Sequence, residues 1–226
     1  MNIAQMIDHT CLKATATEAD IKKLCEEAIT HQFKTVCVPT CYVAMSAHLL
    51  SGTSIGVTTV VGFPLGNETT AAKAFEAKEA VLNGATDVDM VINIGAVKDK
   101  KYDYVKFDIE EVVRATKSVD EKAIVKVIIE TCYLTPEEIE EVTEIVVQAG
   151  ADFVKTSTGF GTDGATLENI ERMKKVVGDR IEIKAAGGIG SAEIAEKLIA
   201  AGATRLGTSK SIAIVKGDSL VDNGSY

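Results

Sequence analysis

A short pattern that recurs three times constrains the fold of this chain more than any other feature. The segments NGATDVDMVIN, QAGADFVKTS and AAGATRLGTS each follow an amphipathic stretch and place a Gly-Ala pair, polar residues and a short apolar run in that order. Gly84, Gly150 and Gly202 are therefore predicted to end helices in the left-handed conformation, which glycine adopts without a Cβ penalty. A helix-to-strand joint repeated in this way indicates alternating β and α units.

The amphipathic stretches between these joints predict helices. One begins in LTPEEIEEV, where Thr135 is predicted to be the N-cap, Pro136 the first helical residue and Glu138 the second half of a capping box. Its buried stripe is predicted to be Ile139, Val142, Ile145, Val146 and Ala149. An earlier helix has an apolar face made of Ile21, Leu24, Cys25, Ala28 and Ile29. Further helices are predicted at 41–50, 68–83, 101–118, 165–177 and 191–201.

Short apolar runs alternate with these helices and predict eight parallel strands, because strands buried on both faces lack polar alternation. The strands are predicted near 7–10, 34–38, 56–61, 87–92, 123–129, 153–156, 182–185 and 205–208. A chain of 226 residues, 46% of them hydrophobic, has the length of one (β/α)8 TIM barrel. We predict one barrel domain over 1–226, with a flexible C-terminal tail at about 217–226. The alternative is an open doubly wound sheet, although the G-x-G-x-x-G segment that would favour it does not open the first helix.

The overall charge argues against polyanionic partners. The net charge is −9 and the pI is near 5.0, so we expect no general attraction to nucleic acid or to an anionic membrane. A phosphorylated substrate would require a local positive pocket. The segment MNIAQMIDHTCLK has no signal-like apolar run, and no segment is apolar and long enough to cross a bilayer. A cytoplasmic location is therefore predicted.

Cysteine and histidine usage indicates reduced thiols and no metal centre. The cysteines are Cys11, Cys25, Cys37, Cys41 and Cys132, and an odd count without a secretion signal favours free thiols. No second cysteine pair completes a zinc site with Cys37 and Cys41, and no H-x-H or H-E-x-x-H segment occurs. We predict no metal ion, no cofactor, and structural or incidental roles for the cysteines.

Polar residues late in the predicted strands are the candidate functional groups, because the active site of such a barrel lies at the carboxyl ends of the strands. They are Asp8, Asp89, Lys126, Lys155 and Lys184. Burial and a like charge both lower a lysine pKa, and a neutral amine attacks a carbonyl to form a Schiff base. Lys155 is thus predicted to be a nucleophile kept neutral by Lys184, with Asp89 as general acid–base. A purely structural lysine is the alternative, and for Lys126 a structural role in the barrel interior is favoured.

Two loops after the last predicted strands indicate a phosphate site. In KAAGGIGS, Gly187 and Gly188 would let backbone N–H groups approach an anion. In RLGTSKS, Gly207, Thr208 and Ser209 would add N–H and hydroxyl donors. Loops at this place in TIM barrels commonly bind phosphate. A Gly-Gly pair alone is often only a turn, but two such loops on consecutive strands favour an anion site.

Six segments together resemble the deoxyribose-phosphate aldolase family of class I aldolases. They are IDHTCLK, DVDMVINIGA, VKVIIETCYL, DFVKTSTGFG, KAAGGI and RLGTSKS, in order from about Ile7 to Ile212. The resemblance implies a (β/α)8 barrel and reversible cleavage of 2-deoxy-D-ribose 5-phosphate to D-glyceraldehyde 3-phosphate and acetaldehyde. The expected partners are small-molecule phosphosugars and aldehydes, without nucleic acid or membrane. The oligomeric state stays open between monomer, homodimer and higher homo-oligomer.

The resemblance also implies roles for individual residues. Lys155 matches the Schiff-base lysine, and Lys184 matches a second lysine that shuttles protons and perturbs the first. Asp89 matches the catalytic aspartate, and Asp8 an aspartate that helps to order the proton relay. Phosphate contacts are implied for Gly187, Gly188 and Ser209, with Thr158 and Gly159 lining the same side. The sequence departs from the family pattern in VINIGAV, where members vary, and in TSKS, where Lys210 replaces a second serine.

The C-terminal segment VDNGSY has two interpretations. From its residues alone it is a frayed tail. Many members of the deoxyribose-phosphate aldolase family, which this sequence resembles, end in a tyrosine that is thought to reach the active site. The resemblance therefore predicts that Tyr226 relays a proton there. Two other functions also stay open: another phosphosugar aldolase or isomerase on the same barrel, and a catalytically silent phosphosugar-binding protein.

Overall fold

The fold is a closed parallel barrel surrounded by helices, and the computed structural model describes residues 2–217. The strands are β1 (Ile7–Thr10), β2 (Thr35–Val38), β3 (Gly56–Val61), β4 (Asp87–Val91), β5 (Ile124–Ile128), β6 (Phe153–Lys155), β7 (Glu182–Ala186) and β8 (Arg205–Thr208). The α-helices are α1 (Glu18–His31), α2 (Val43–Leu49), α3 (Thr70–Leu82), α4 (Ile94–Lys98), α5 (Tyr102–Lys117), α6 (Pro136–Gln148), α7 (Leu167–Val177), α8 (Ala192–Ala200) and α9 (Ser211–Lys216). Each strand pairs in parallel with the next, and β8 pairs with β1.

This closed strand order confirms the predicted (β/α)8 barrel and excludes the open doubly wound sheet. All eight predicted strands are present, with small differences at their ends. The extent of the domain over 1–226, including the predicted tail, stays a prediction because residues 218–226 lie outside the described residues.

The joints between helices and strands have the conformation predicted from the recurring pattern. Gly84, Gly150 and Gly202 have φ angles of 105°, 77° and 124°, in the region that favours glycine. At the start of α6, the Thr135 side chain accepts a hydrogen bond from the Glu138 N–H, and the Glu138 side chain accepts one from the Thr135 N–H. The predicted capping box and the glycine helix ends are therefore confirmed.

The structure differs from the predicted helices in two respects. Helices α4 and α9 were not predicted, because with 5 and 6 residues each is too short to have a visible apolar period. Ile29, predicted on the buried face of α1, is 39% exposed, whereas the other four residues of that face are buried. It lies at the edge of the apolar stripe, eight residues after Ile21, where the helix surface has turned away from the barrel.

The apolar core lies between the strands and the helices, not inside the barrel. Alternate strand residues such as Val88, Val125, Val154, Ile183 and Leu206 belong to the main apolar cluster. Because side chains alternate along a strand, their neighbours point to the other face. Those neighbours include Asp89, Lys126, Lys155, Lys184 and Arg205, all buried. The strand pattern therefore places charged side chains together in the barrel interior.

Candidate active site

Lys155 and Lys184 lie side by side in the barrel wall. Lys155 is the last residue of β6 and pairs in register with Lys184 of β7, so both side chains leave the same face of the sheet. Their side chains are 4% and 0% exposed. The prediction that the two lysines face one another at neighbouring strands is confirmed in position.

Asp89 contacts both lysines from β4, two strands before β6 in the barrel. Its Oδ2 atom accepts hydrogen bonds from Lys155 Nζ at 2.8 Å and from Lys184 Nζ at 2.7 Å. Its Oδ1 atom accepts one from Lys126 Nζ at 3.0 Å. The carboxylate therefore contacts three ammonium positions at once and is placed to exchange a proton with either lysine.

Asp8 holds Lys184 from a third side. Asp8 is the second residue of β1, and its Oδ2 atom accepts a hydrogen bond from Lys184 Nζ at 2.5 Å. Its Oδ1 atom accepts one from Arg205 Nη1 at 2.9 Å. Lys184 thus bridges Asp8 and Asp89, which is the arrangement a proton relay requires.

The two lysines have opposite protonation preferences. Burial lowers the pKa of Lys155; the Asp89 carboxylate opposes this shift, and the Lys184 charge adds to it. Burial alone would lower the pKa of Lys184 too, but Asp8 and Asp89 outweigh it and hold that pKa above its ordinary value. Of the two lysines, Lys155 therefore gives up its proton more readily, and Lys184 is held as the cation. The like charge contributes to the state of Lys155 as the sequence predicted, but burial is the larger cause.

The carboxylates keep their charge despite burial. Burial raises the pKa of Asp89, yet Lys126, Lys155 and Lys184 together hold it well below the ordinary value. Burial also raises the pKa of Asp8, but the nearby charges of Lys184, Lys126 and Arg205 lower it by more. The pKa of Asp8 therefore lies below its ordinary value. Both aspartates are therefore ionised at neutral pH and accept hydrogen bonds from the lysines around them.

A small apolar group borders the lysines on the β2 side. Cys37 packs with Leu12, Val60 and Phe63, and its thiol is close enough to interact with the charges of Lys184 and Lys155. Burial raises the pKa of the Cys37 thiol to about 11, so the thiol is uncharged at neutral pH. The side of the site next to Cys37 is therefore apolar and uncharged.

The glycine loops after β6 and β7 approach one another closely. Gly159, Gly187 and Gly188 have φ angles of 87°, 83° and 73°. A Cβ atom on Gly187 would lie 2.9 Å from the Cα atom of Gly164, whereas one on Gly188 would meet open space. The chain therefore requires glycine at Gly187 for the close approach, and the open side at Gly188 leaves room for a ligand. Phosphate binding by these glycines stays a prediction.

Thr158 is engaged by a buried carboxylate beneath the loop. Its hydroxyl and its backbone N–H both donate to Glu130, which sits directly after β5 with a φ angle of 53°. A non-glycine residue in this region is strained and marks a constrained position. These contacts fix the loop that follows Lys155. The hydroxyl and the backbone N–H of Thr158 both donate to Glu130. The predicted contact of Thr158 with a substrate phosphate stays a prediction.

Ser209 lies on the other side of the barrel mouth, after β8. With Lys210 it lines a cavity of about 360 Å³ between the loops after β1 and β8 and helix α1. Lys13 and Lys23 line the same cavity, together with the acidic Asp20 and Glu27. The three ammonium groups exceed the two carboxylates by one charge, and Lys23 pairs with Glu27 at 3.8 Å. The residues that line this cavity do not include Lys155, Lys184, Gly187 or Gly188, so it is separate from the buried lysines.

Several predicted features receive no test from the structure. Tyr226 lies outside the described residues. Within residues 2–217, no group of three or more His, Cys, Asp or Glu side chains is placed to hold a metal ion. Within the same range, no helix is long and apolar enough to cross a membrane.

Sequence reasoning missed Asp87 and Arg205, which belong to the same buried network. Arg205 Nη1 donates to Asp87 Oδ2 at 3.2 Å, and Lys126 Nζ lies 2.6 Å from the same oxygen. Lys126 therefore occupies the barrel interior, as predicted, but it also contacts Asp89 directly. The available signal was strand alternation, because Asp87 precedes Asp89 by two residues and shares its face.

Comparison with known proteins identifies the family. A model of the DeoC/LacD family aldolases matches residues 2–214. The chain belongs to the DeoC/LacD aldolase family. It is 59% identical over 224 residues to the deoxyribose-phosphate aldolase of Carboxydothermus hydrogenoformans, covering 99% of this chain and 97% of that protein. It is 56% identical to the enzyme of the same name from Clostridium novyi, with both chains covered completely.

Solved structures of aldolases have the same fold. A tetrameric deoxyribose phosphate aldolase from Aeropyrum pernix superposes with a TM-score of 0.88 at 30% identity, over 95% of this chain and 89% of that one. The aldolase QR15 superposes with a TM-score of 0.89 at 40% identity, over 95% and 94% of the two chains. This chain is an aldolase, a carbon–carbon lyase on a TIM barrel.

Proposed function

We propose that this aldolase cleaves 2-deoxy-D-ribose 5-phosphate reversibly to D-glyceraldehyde 3-phosphate and acetaldehyde through a Schiff base on Lys155. The observation that carries the mechanism is the contact of buried Lys155 with Asp89, beside a second lysine held as a cation. The substrate is supported by relatives named deoxyribose-phosphate aldolase at 59% and 56% identity over nearly the whole chain.

The first half of the reaction forms the iminium ion. The neutral amine of Lys155 attacks the aldehyde carbon C1 of the substrate and gives a carbinolamine. A proton must reach the carbinolamine oxygen so that it leaves as water, and Lys184 is the cation nearest to the shared Asp89 oxygen. Asp89 accepts the proton released by the nitrogen, because its carboxylate already contacts Lys155.

The second half breaks the carbon–carbon bond. Removal of the proton from the C3 hydroxyl lets its electrons form the aldehyde of D-glyceraldehyde 3-phosphate while the C2–C3 bond breaks. The bond electrons move into the iminium and produce an enamine on Lys155. Protonation of the enamine at C2 and hydrolysis of the resulting iminium release acetaldehyde and restore the amine. Asp89 and Asp8 are the carboxylates available to the relay, with Lys184 between them.

Phosphate binding at the mouth would orient the far end of the substrate. The open side at Gly188, on the loop that directly follows the strand of Lys184, supports this assignment. Interactions remote from the reacting bond convert binding energy into orientation, and so raise the rate of the chemical step.

Reductive trapping combined with a cleavage assay tests the proposal. The protein is incubated with acetaldehyde and borohydride, the modified residue is found by mass spectrometry, and cleavage of 2-deoxy-D-ribose 5-phosphate is followed separately. We expect an ethyl group on Lys155 together with cleavage. Trapping without cleavage of this sugar would point to another phosphosugar aldolase. Sugar interconversion without trapping would point to an isomerase, and binding without either to a silent barrel.

A charge reversal tests the phosphate side of the site. Ser209→Glu is expected to raise KM for 2-deoxy-D-ribose 5-phosphate by about tenfold or more while changing KM for unphosphorylated deoxyribose little. Two like charges about 4 Å apart near a protein surface repel by up to about 4 kcal/mol, and about 1.4 kcal/mol corresponds to a tenfold change. Ser54→Glu adds the same charge on an exposed loop before β3, at the other end of the barrel, and is the matched control. Equal losses on both sugars would place the phosphate elsewhere.

The proposal includes self-association through helices α3 and α5. Large apolar side chains are exposed on these packed helices, among them Phe75 at 70%, Leu82 at 66% and Phe107 at 51%. Apolar groups clustered on a surface favour association, and the Aeropyrum pernix relative is a tetramer.

Two charges on this face test the association. Phe75→Glu with Phe107→Glu is expected to reduce the molar mass measured by sedimentation to that of one chain, because burial of these carboxylates at an interface is costly. Glu substitution at exposed Leu65, outside both helices, serves as the control. A wild-type protein that sediments as a monomer would contradict the proposal.

Two expectations from the sequence remain part of the proposal. A cytoplasmic location is supported by the five free cysteines, since thiols persist in a reducing compartment. A proton relay by Tyr226 rests on the family resemblance alone. Tyr226→Phe should slow deuterium exchange into acetaldehyde while leaving trapping at Lys155 intact.

A further inference from the structure

The barrel interior contains a cluster with an unequal number of acids and bases. The buried charge cluster is Asp8, Asp87, Asp89, Lys126, Lys155, Lys184 and Arg205, each at most 5% exposed. Ion pairs at 3.8 Å or less connect all seven residues. With every group ionised, four positive charges face three negative ones. With one lysine neutral the cluster carries no net charge, which is the cheaper state in a low-dielectric interior.

The contacts indicate which lysine gives up its proton. Lys126 has carboxylate oxygens at 2.6, 3.0 and 3.8 Å, and Lys184 contacts two aspartates. Among the described residues, the ion pairs of Lys155 involve one carboxylate, that of Asp89, which Lys155 shares with Lys126 and Lys184. The excess proton is therefore held least firmly at Lys155.

Arg205 and Asp87 lie one layer below the nucleophile. Arg205 precedes Gly207 by two residues on β8, and Asp87 precedes Asp89 by two residues on β4. Arg205 contacts Asp8 at 2.9 Å and Asp87 at 3.2 Å. Among the described residues, neither Arg205 nor Asp87 forms an ion pair with Lys155 itself. Their ion pairs connect to Lys155 through Asp8, Asp89 and the other lysines of the cluster.

An aromatic ring supports the cations of this lower layer. The Phe153 ring lies 5.2 Å from the Arg205 guanidinium carbon and 5.9 Å from Lys126 Nζ. Both contacts fall within the range of a cation–π interaction, which favours the charged state of the two groups. The ring therefore stabilises the Arg205 charge in addition to its two aspartate partners, whereas among the described residues no such ring contact is found for Lys155.

We propose that Arg205 and Asp87 are positioning residues that set the protonation of Lys155 through the charge count of the buried cluster, Arg205 favouring the free amine and Asp87 opposing it. Arg205 also fixes Asp8, which in turn holds Lys184. The proposal deepens the proposed function, because it rests on Lys155 as the Schiff-base lysine.

The groups that face Lys155 determine the expected pH dependence. They are Asp89 from β4, Lys184 from β7 and the uncharged Cys37 thiol from β2, with Asp8 and Lys126 behind them. All of these side chains stay in place as residues when Arg205 or Asp87 is substituted, so a shift in the titration of Lys155 would report the charge removed and the contacts it makes with Asp8 and Lys126. Removing the positive charge of Arg205 raises the pKa of Lys155, and removing the negative charge of Asp87 lowers it.

The experiment measures the rate of acetaldehyde trapping at Lys155 by borohydride over a pH series. The acidic limb is the part of the rate-versus-pH curve where the rate rises as Lys155 loses its proton. In Arg205→Met this limb is expected to move to higher pH by about one unit, which reduces the trapping rate about tenfold at a given pH on the limb. In Asp87→Asn, which keeps the side-chain shape, the limb moves to lower pH. The double variant, with both charges removed, returns the limb towards its wild-type position.

Two controls separate charge from structure. Arg205→Lys keeps the positive charge and is expected to keep the wild-type limb, even where its rate falls. Arg180→Met removes an exposed arginine that pairs with Glu144, and its limb is expected to stay unchanged. If Arg205→Met does not fold, Asp87→Asn and Arg205→Lys still test the proposal.

The outcomes distinguish this inference from the proposed function. Absence of trapping at Lys155 in the wild-type protein would overturn both. Normal wild-type trapping with unmoved limbs in Arg205→Met and Asp87→Asn would overturn the inference alone. Limbs that move in the same direction in both variants would also overturn it. The inference requires opposite shifts, because the two variants remove charges of opposite sign, whereas a general structural disturbance would not depend on that sign.

Discussion

Replacing Lys155 with leucine is expected to abolish both borohydride trapping of acetaldehyde and sugar cleavage. The loss of kcat should exceed about 10⁴-fold, the upper end of what one general acid–base group contributes, because the covalent step itself is removed. The remaining cluster lysines cannot substitute. Carboxylates hold the pKa of Lys184 above its ordinary value, and Lys126 lies within ion-pair distance of three aspartates.

The fold should survive this substitution. Leucine removes an amine that is costly to bury, and Asp89 keeps its contacts with Lys126 and Lys184. Far-ultraviolet circular dichroism and the urea midpoint of the variant should therefore stay near those of the wild-type protein. Lys101→Leu, at an exposed lysine, is the control for trapping. Full trapping in the Lys155→Leu protein would assign the Schiff base to another lysine.

The barrel was predictable because its signals are local. Each helix end needs a left-handed glycine, as at Gly84, Gly150 and Gly202, and each buried strand needs a short apolar run. These requirements repeat along the sequence, and they determine the number and order of strands. Short helices such as α9 carry no comparable signal, since their position is determined by packing against the barrel.

The buried network was predictable only in part because it depends on the register between strands. Lys155 and Lys184 stand out as lysines in apolar runs, and Asp89 is named by the family resemblance. Arg205 begins its strand, where a charged residue usually faces solvent, and only its pairing with Lys184 places it inside. Barrel closure brings β1, β4 and β8 together across the interior, a relation that no local pattern contains.

The contact between Glu130 and Thr158 had no sequence signal. It depends on a left-handed backbone at a glutamate, which is rare for a non-glycine residue. A loop of the type TSTGFG predicts a turn and gives no indication that a buried carboxylate from the preceding unit holds it. The strain at Glu130 is accordingly a structural finding, and it fixes the backbone directly after the nucleophile.

Lys184→Met is expected to have the second largest effect, because Lys184 connects both aspartates to the nucleophile. Its ammonium contacts Asp8 at 2.5 Å and Asp89 at 2.7 Å. Without it, Asp8 keeps Arg205 as its close partner, and Asp89 keeps Lys126 and Lys155. Two buried carboxylates are then less compensated, and one positive charge beside Lys155 is gone.

Both changes raise the pKa of Lys155, so the free amine becomes scarcer at neutral pH. The acidic limb of the trapping and cleavage rates should move to higher pH, and cleavage at neutral pH should fall by at least about 100-fold as the relay also loses its proton carrier. Removing one partner of a buried ion pair should reduce the free energy of unfolding by about 3–5 kcal/mol, measured by urea titration.

Lys73→Met is the matched control, because Lys73 is also fully buried and pairs with Asp108 at 2.7 Å. It should lose similar stability while leaving the limb in place. If the two variants had the same pH profile, Lys184 would be a structural lysine, and the protonation of Lys155 would depend on burial and Asp89 without it.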